Sequence, residues 1–254
     1  MNKIISFSLW GDKAIYNIGA IKNLKFAKTI YKGWKVVFYY NETVPISTIL
    51  TLKNNGAILI KVDDDLYGMF WRFLAADLPN CEYAIFRDTD SRLSIREKMA
   101  VDEWLISGKI LHVMRDHPFH EIPFGANEPS ILGGMWGIKG GQFPMSKSID
   151  KFKLNRNLVY GSDQTFLTEI YYHFKNSRII HDEFFGGLRF PIKRLKYSFI
   201  GERINEYDVP STNDREVLVR YYERKYKYLK IYNNLKKYLA KSLIKLKNLM
   251  TVNY

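Results

Sequence analysis

Apolar residues along the first hundred positions fall into short β-rich runs separated by longer stretches with helical spacing. Ile4 to Leu9, Lys35 to Tyr40 and Ala57 to Val62 read as strands, and Ile18 to Ile30 and Ile46 to Lys53 between them read as helices. This alternation predicts consecutive βαβ units, hence an α/β fold with a mostly parallel sheet flanked by helices. A helix at Met69 to Asp77 and a buried strand at Glu82 to Arg87 continue it. Ser94 and Glu97 then make a Ser-x-x-Glu capping box, and Gly108 stands where a left-handed residue closes a helix. Lys109 to Met114 is the next strand, whereas Pro118 to Gly141 turns to Pro, Gly, Asn and His, the composition of a loop-rich layer outside the sheet. Further on, Thr165 to Tyr172 is helix-like and Arg178 to Ile180 is a short apolar run.

A last helical pattern starts near Asp214. Tyr228, Ile231, Tyr232, Leu235, Tyr238, Leu239, Leu243, Leu246, Leu249 and Met250 recur at spacings of three and four, with lysines on the other face. Pro210, Ser211, Thr212 and Asn213 mark a hinge before it, which divides the chain into a domain at 1–208 and a basic amphipathic helical tail at 209–254.

Charge sharpens that division. The chain carries 39 Lys and Arg against 26 Asp and Glu, a net +13, and the stretch from Asp214 onward holds eleven basic and three acidic residues, or +8 of it. Such a balance favours polyanionic partners. No base-reading module accompanies it, so no nucleic-acid partner is expected, and the amphipathic pattern points 214–254 towards an anionic membrane surface or towards packing on the domain. Hydrophobic residues at 46% and charged residues at 26% exclude a disordered chain, and 254 residues leave no room for two large independent domains. Cys81 is the single cysteine, which excludes a disulfide framework and a Cys-rich zinc site and fits a reducing compartment. Met1 runs into the strand-like Lys3 to Ser8 with no secretory signal, and no apolar stretch is long enough to span a bilayer. The expected location is therefore cytoplasmic, peripheral on the membrane face through the tail.

Asp88-Thr89-Asp90 is the sharpest chemical feature, because it follows the apolar strand residues Tyr83 to Phe86. Ligand crevices lie at the carboxyl ends of strands in open α/β sheets, and residues two apart share a face, so both carboxylates can converge on one divalent cation. The plain alternative is a turn. Asp63-Asp64-Asp65 is a second such run, better suited to capping the segment that follows. His181, after Arg178 to Ile180, can bring an imidazole to the same crevice, and two carboxylates with an imidazole favour manganese over calcium. His117 and His120 flank Pro118 in a polar loop facing an acceptor, and no zinc triad has usable spacing. Tyr160-Gly161-Ser162-Asp163-Gln164 precedes a helix and places Ser162 or Asp163 at its positive end, as a cap or as a base beside a reacting group. Asp116, after the strand Lys109 to Met114, is the fallback base. Gly133-Gly134-Met135-Trp136-Gly137 combines close backbone approach with an aromatic wall.

In succession, Phe7-Ser8-Leu9-Trp10-Gly11, Tyr16-Asn17-Ile18-Gly19-Ala20, Phe70-Trp71-Arg72-Phe73, Arg87-Asp88-Thr89-Asp90-Ser91-Arg92, Arg115-Asp116-His117-Pro118, Gly133 to Gly137 and Tyr160 to Gln164 resemble a family of GT-A-fold glycosyltransferases. That family occurs in bacterial surface-polysaccharide loci and in large DNA viruses, and the resemblance covers about residues 3 to 208. It implies a GT-A-like, Rossmann-like sheet and transfer of a sugar from a nucleotide-sugar donor, UDP-linked, to a glycan or lipid-linked acceptor. By the family pattern Ser8, Leu9, Trp10, Gly11, Asn17, Thr89 and Gly134 surround the donor and Arg72 reaches it. Asp88, Asp90 and His181 hold Mn2+ or Mg2+, Asp163 and Gln164 flank the transferred sugar, and His117, His120 and Trp136 lie on the acceptor side. Two rival classes are a nucleotidyltransferase acting on sugar phosphates, for which Ser8 to Lys13 supplies only one of the expected glycines, and a non-enzymatic nucleic-acid binder.

Overall fold

A computed structural model describes residues 1–63, 67–123, 127–154 and 156–251, without the side chains of 238 and 240–251. The chain divides into two compact units, Met1–Ser211 and Thr212–Tyr254. In the first, the described elements are β1 (Asn2–Leu9), α1 (Ala14–Ile30), β2 (Lys35–Tyr40), α2 (Ile46–Asn54), β3 (Ile58–Lys61), a 3-10 segment (Gly68–Asp77), β4 (Cys81–Arg87), α3 (Ile95–Ser107), β5 (Leu111–Arg115), β6 (Trp136–Lys139), α4 (Met145–Lys153), α5 (Ser162–His173) and β7 (Arg178–Asp182). The seven strands make one sheet in the order β3-β2-β1-β4-β6-β5-β7. All pairs are parallel except those of β6, which runs antiparallel between β4 and β5. The second unit is one helix, α6 (Thr212–Thr251). The molecule is thus α/β, with a mostly parallel mixed sheet flanked by helices.

Alternation along β1 sorts the two faces of the sheet. Ile5, Phe7 and Leu9 enter a cluster with Leu24, Leu52 and Trp104 from the helices, whereas Phe70, Phe73, Phe86, Trp136 and Phe166 fill the opposite layer. Ser6 and Ser8 point into that opposite layer although both are buried, and their hydroxyls are satisfied by one residue. Ser6 Oγ donates to the Arg72 carbonyl at 2.8 Å, and the Arg72 amide donates to Ser8 Oγ at 2.9 Å.

Two stretches differ from the sequence pattern. Gly68–Asp77 is 3-10 rather than α, and its three-residue repeat stacks Phe70, Phe73 and Ala76, all buried, along one edge against the sheet. Within the supposed loop layer 118–141, β6 is a strand of four residues, too short to display an alternation, and it owes its place to pairing on both sides.

Charged groups inside the first unit are paired. Arg87 and Glu97, each 2% exposed at the side chain, meet at 3.2 Å from Nε to Oε1. Tyr31 donates to the same oxygen at 2.8 Å, and Arg87 Nη1 donates to the carbonyls of Phe86 and Trp136. The capping box holds this glutamate in place: Ser94 Oγ accepts from the Glu97 amide, and Gly108 closes α3 at φ 68°. On β5 and β7, His112 Nε2 and His181 Nδ1 lie 2.9 Å apart, and His181 Nε2 reaches Glu103 Oε2 at 3.0 Å. Trp104 stacks on His112 and Phe190 leans on His181. Burial, chiefly, lowers both imidazoles, His112 well below its ordinary 6.5; Arg87 and the second imidazole act the same way on His112, while Glu103 opposes the shift on His181.

Breaking the Arg87–Glu97 pair from one side strands a buried charge. Glu97→Ala is expected to lower unfolding free energy by about 3–5 kcal/mol in urea titration, and Arg87→Met with Glu97→Leu together is expected to recover part of that loss. The histidines give a pH signature. An unfolded imidazole takes up a proton below about pH 6.5 that the folded one refuses, so stability present above that pH is lost as pH falls, by about 1.4 kcal/mol per pH unit for each group fully engaged. Asp90 and Asp163, both raised to about 6, oppose this below pH 6. The measurement is therefore a comparison: between pH 7 and 5 the melting temperature of His112→Gln is expected to fall less steeply than that of the wild type.

Candidate active site

The carboxyl ends of β1 and β4 open into a cavity of about 550 Å³. Ser8 to Lys13 and Tyr16 form one wall, Tyr67, Met69 and Arg72 a second, Asp88 to Asp90 the floor, and Leu132 to Met135, Tyr160, Asp163 and Gln164 the far side. His120, Gly201 and Arg203 complete the lining.

Arg72 is the centre of this arrangement. Its backbone is fixed by Ser6 and Ser8, and its guanidinium, 7% exposed, reaches two carboxylates: Nη1 pairs with Asp88 Oδ1, and Nη2 lies 3.4 Å from Asp163 Oδ2. Asp163 stands in the first turn of α5 and is buried, while Asp88 is half-exposed to the cavity. Burial, against the pull of Arg72, raises Asp163 to about 6. Asp90 is also raised to about 6, by burial and by the Asp88 carboxylate beside it, with Arg203 and Arg72 pulling the other way. Buried atoms such as Arg87 Nη2 and Trp136 Nε1 also lack a hydrogen-bond partner, but three such atoms belong to residues of the cavity: Arg72 Nε, Asp163 Oδ1 and Gln164 Oε1. Unsatisfied polar atoms of this kind mark a place where ligand or water supplies the missing bonds.

The loop carrying the carboxylates is held from behind by α1. Asn23 Nδ2 donates to the carbonyls of Ser91 at 2.8 Å and Thr89 at 3.3 Å, and Asn23 Oδ1 accepts from the Leu93 amide. At Gly19 a Cβ would overlap the Thr89 carbonyl, so this close approach of helix and loop requires glycine. Gly134 plays the matching part in front, where a Cβ would collide with Asp88 Oδ2. From the far end of the unit, the Ile204 amide donates to the Asp90 carbonyl at 2.7 Å, which sets Arg203 Nε 3.6 Å from Asp90 Oδ2.

Of the residues singled out from the sequence, Ser8, Leu9, Trp10, Gly11, Arg72, Asp88, Thr89, Asp90, Gly134, His120, Asp163 and Gln164 come together around this cavity. Five do not line it. Asn17 lies behind the wall, its Nδ2 donating to the carbonyls of Gly11 and Lys13. Trp136 is fully buried between Phe73 and Phe86, because β6 turns it into the core. Asp116 is locked by Arg96, Arg194 and the Ile200 amide, so its oxygens are committed to holding the 192–200 segment. His117 is buried against Phe199. His181 spends both ring nitrogens on His112 and Glu103, which leaves neither for a metal. Of the competing triplet, Asp64 and Asp65 lie outside the described residues, and Asp63 pairs with Lys61 at 2.7 Å.

Arg203, Tyr16 and Met69 join the lining without having been singled out as site residues. Arg203 is beyond sequence reasoning, since it follows Gly201 in a stretch with no periodicity and is delivered by tertiary contacts, the Ile204–Asp90 hydrogen bond among them.

A hard divalent ion fits the donor set in part. Asp88 and Asp90 offer carboxylate oxygens at one end of the cavity, and a cation there would relieve the repulsion that adds to burial in raising Asp90. Among the described residues no group of three or more His, Cys, Asp or Glu side chains is arranged around a metal position, so the remaining ligands would come from substrate and water.

No protein-family model and no curated protein matches the chain. Several solved structures are similar to it at low identity. TarS 1–349 of S. aureus is 12% identical with a TM-score of 0.47, over 72% of this chain and 58% of that one, so the chain spans little more than half of it. A putative glucose-1-phosphate thymidylyltransferase from Bacillus anthracis is 11% identical with a TM-score of 0.46, covering 72% and 87%. A glycosyltransferase involved in glycosylation of the major capsid of PBCV-1 is 13% identical with a TM-score of 0.45, covering 72% and 82%.

Proposed function

We propose that the chain is a metal-dependent glycosyltransferase of GT-A type that moves a sugar from a UDP-linked donor to a glycan or lipid-linked acceptor. The observation that carries this reading is the convergence of Asp88, Asp90, Arg72 and Asp163 on one cavity at the carboxyl ends of parallel strands. Mn2+ or Mg2+ held by Asp88 and Asp90 supplies positive charge against the donor diphosphate.

The protein's own groups divide the remaining work. Arg72 is a fixed cation whose Nε lacks a partner, suited to the negative charge that grows on the departing nucleoside diphosphate. Its position costs no reorganisation, because Ser6 and Ser8 hold its backbone from both sides. Trp10, 40% exposed and braced edge-on by Trp71, offers a ring face at the rim for a nucleobase. Asp163 and Gln164 each carry a buried oxygen without a partner, and these accept hydroxyl protons from the sugar being transferred. In His120, Nδ1 accepts from the Asp116 amide at 3.1 Å, so the proton of the neutral ring sits on Nε2 and the side chain serves as a donor, not a base.

Calorimetry with UDP and manganese tests the donor site. Asp88→Asn and Asp90→Asn are each expected to weaken metal-dependent UDP binding by at least about tenfold, Asp90→Asn with the melting temperature held and Asp88→Asn with some loss of it, because buried Arg72 loses an ion-pair partner. Undiminished affinity in both variants overturns the assignment. Asp163→Asn is expected to leave UDP affinity nearly unchanged and to lower turnover by at least about a hundredfold, the range of a positioned acid–base or electrostatic group. The nucleotidyltransferase alternative is separated by product: release of UDP from a UDP-sugar supports transfer, and release of pyrophosphate from a nucleoside triphosphate with a sugar 1-phosphate supports the alternative.

A further inference from the structure

We infer that α6 is an interfacial helix that lies along an anionic lipid surface, its apolar stripe entering the headgroup region and its lysines on either side. The stripe is read from spacing. Tyr228, Tyr232, Leu235, Leu239, Leu243, Leu246 and Met250 follow one another at steps of four, three, four, four, three and four, so the pattern repeats every eleven residues, from Tyr228 to Leu239 to Met250. Eleven residues in three turns is about 3.67 per turn, close to the 3.6 of a straight α-helix and away from the 3.5 that winds two helices into a left-handed coiled coil. The stripe therefore runs nearly parallel to the axis for about 33 Å, at roughly 1.5 Å per residue. A straight stripe meets a flat surface along its whole length; an eleven-residue repeat also suits a right-handed helix pair, and it is the run of like charges that disfavours a second copy of this helix.

Charge selects which flat surface. After Glu223 the helix holds nine lysines and arginines and no acidic residue. Lys225 and Lys236 fall on one flank of the stripe and Lys227 on the other, where long side chains reach headgroups as their stems cover apolar area, while Lys230 and Lys237 face away from it. Tyr228, Ile231, Tyr232, Leu235 and Leu239 are all exposed, by 48% at the least, and tyrosine is the residue type that settles at headgroup depth. No described helix is long and apolar enough to cross a membrane, so the association is along the surface. A nucleic acid would satisfy the lysines but gives Leu235 and Leu239 nothing to bury.

The test is sedimentation of the full chain with vesicles of equal parts phosphatidylcholine and phosphatidylglycerol, against vesicles of phosphatidylcholine alone. Pelleting is expected with the anionic vesicles only, and is expected to fall away in high salt as the screening length shrinks from about 10 Å at 0.1 M to about 3 Å at 1 M. Lys225→Glu with Lys236→Glu is expected to lower the partition coefficient at least about tenfold, since each lysine near such a surface contributes several-fold. Leu235→Glu with Leu239→Glu is expected to abolish pelleting although every lysine remains. Four results overturn the inference. These are failure of the wild type to pellet at low salt, retention of binding in the leucine variant, a dimer in sedimentation equilibrium that the leucine variant dissolves, and a lowered melting temperature of the main unfolding transition in that variant. Retained binding that a duplex oligonucleotide competes away would identify a polyanion site instead. None of these readouts involves turnover, so they stand apart from the fate of the catalytic reading.

Discussion

A single guanidinium organises the cavity. Arg72 is almost wholly withdrawn from water, yet its two carboxylate partners do not saturate it, because Nε is left over. A buried arginine in that condition is costly unless something else completes it, and the surroundings keep it from relaxing. Ser6 and Ser8 pin its backbone, Phe73 packs beneath the guanidinium at 5.3 Å, and Gly133 leaves room for Nη2. β1, the 3-10 segment, the end of β4 and the first turn of α5 thus meet at one cation. Displace any of them and the two carboxylates part company.

Arg87, the last residue of β4 and the one just before Asp88, shows what the same chemistry looks like when its purpose is structural. Its salt bridge to Glu97 is enclosed, the glutamate also accepts from Tyr31, and two backbone carbonyls take Nη1, although Nη2 is left without a partner just as Arg72 Nε is. The contrast lies in what lies beyond the pair. Around Arg87 there is core, with Trp104 and Trp136 on either face of the sheet. Around Arg72 there is a cavity; burial raises Asp163 beside it just as burial raises Glu97 beside Arg87, so the two sites differ in the open space and not in the carboxylates. Folding alone accounts for the first arrangement, and a ligand is the natural complement of the second.

How much of this a reader of the sequence could see follows from where the information resides. Local signals were legible: the alternation in β1 and β2, the helix spacing of α1, and the box that begins α3 with Ser94 and ends it at Gly108. The place of Asp88 and Asp90 just after a buried strand belonged to the same level. What stayed hidden depended on pairing. Trp136 reads as an exposed aromatic beside glycines until β6 is inserted between β4 and β5, and then it is core. His181 reads as a free imidazole at a strand end until β7 pairs with β5 and sets His112 against it. Asp116 reads as a spare base until two arginines from distant positions close on it.

Arg203 carries the same lesson to the edge of the site. Nothing near it in sequence is periodic, and its ion pair with Asp90 is loose and largely solvated, worth little by itself. Its position is set by neighbours with firmer geometry. Arg92 donates to the Asn205 carbonyl, the Ile204 amide donates to Asp90, and Ser211 returns to the Arg203 carbonyl. Arg92 also shares Asp208 with Lys22 of α1, so the helix that holds the carboxylate loop from behind, through Asn23, also holds the strand of chain that brings Arg203 in front. Both sides of the acidic pair are therefore indexed to α1.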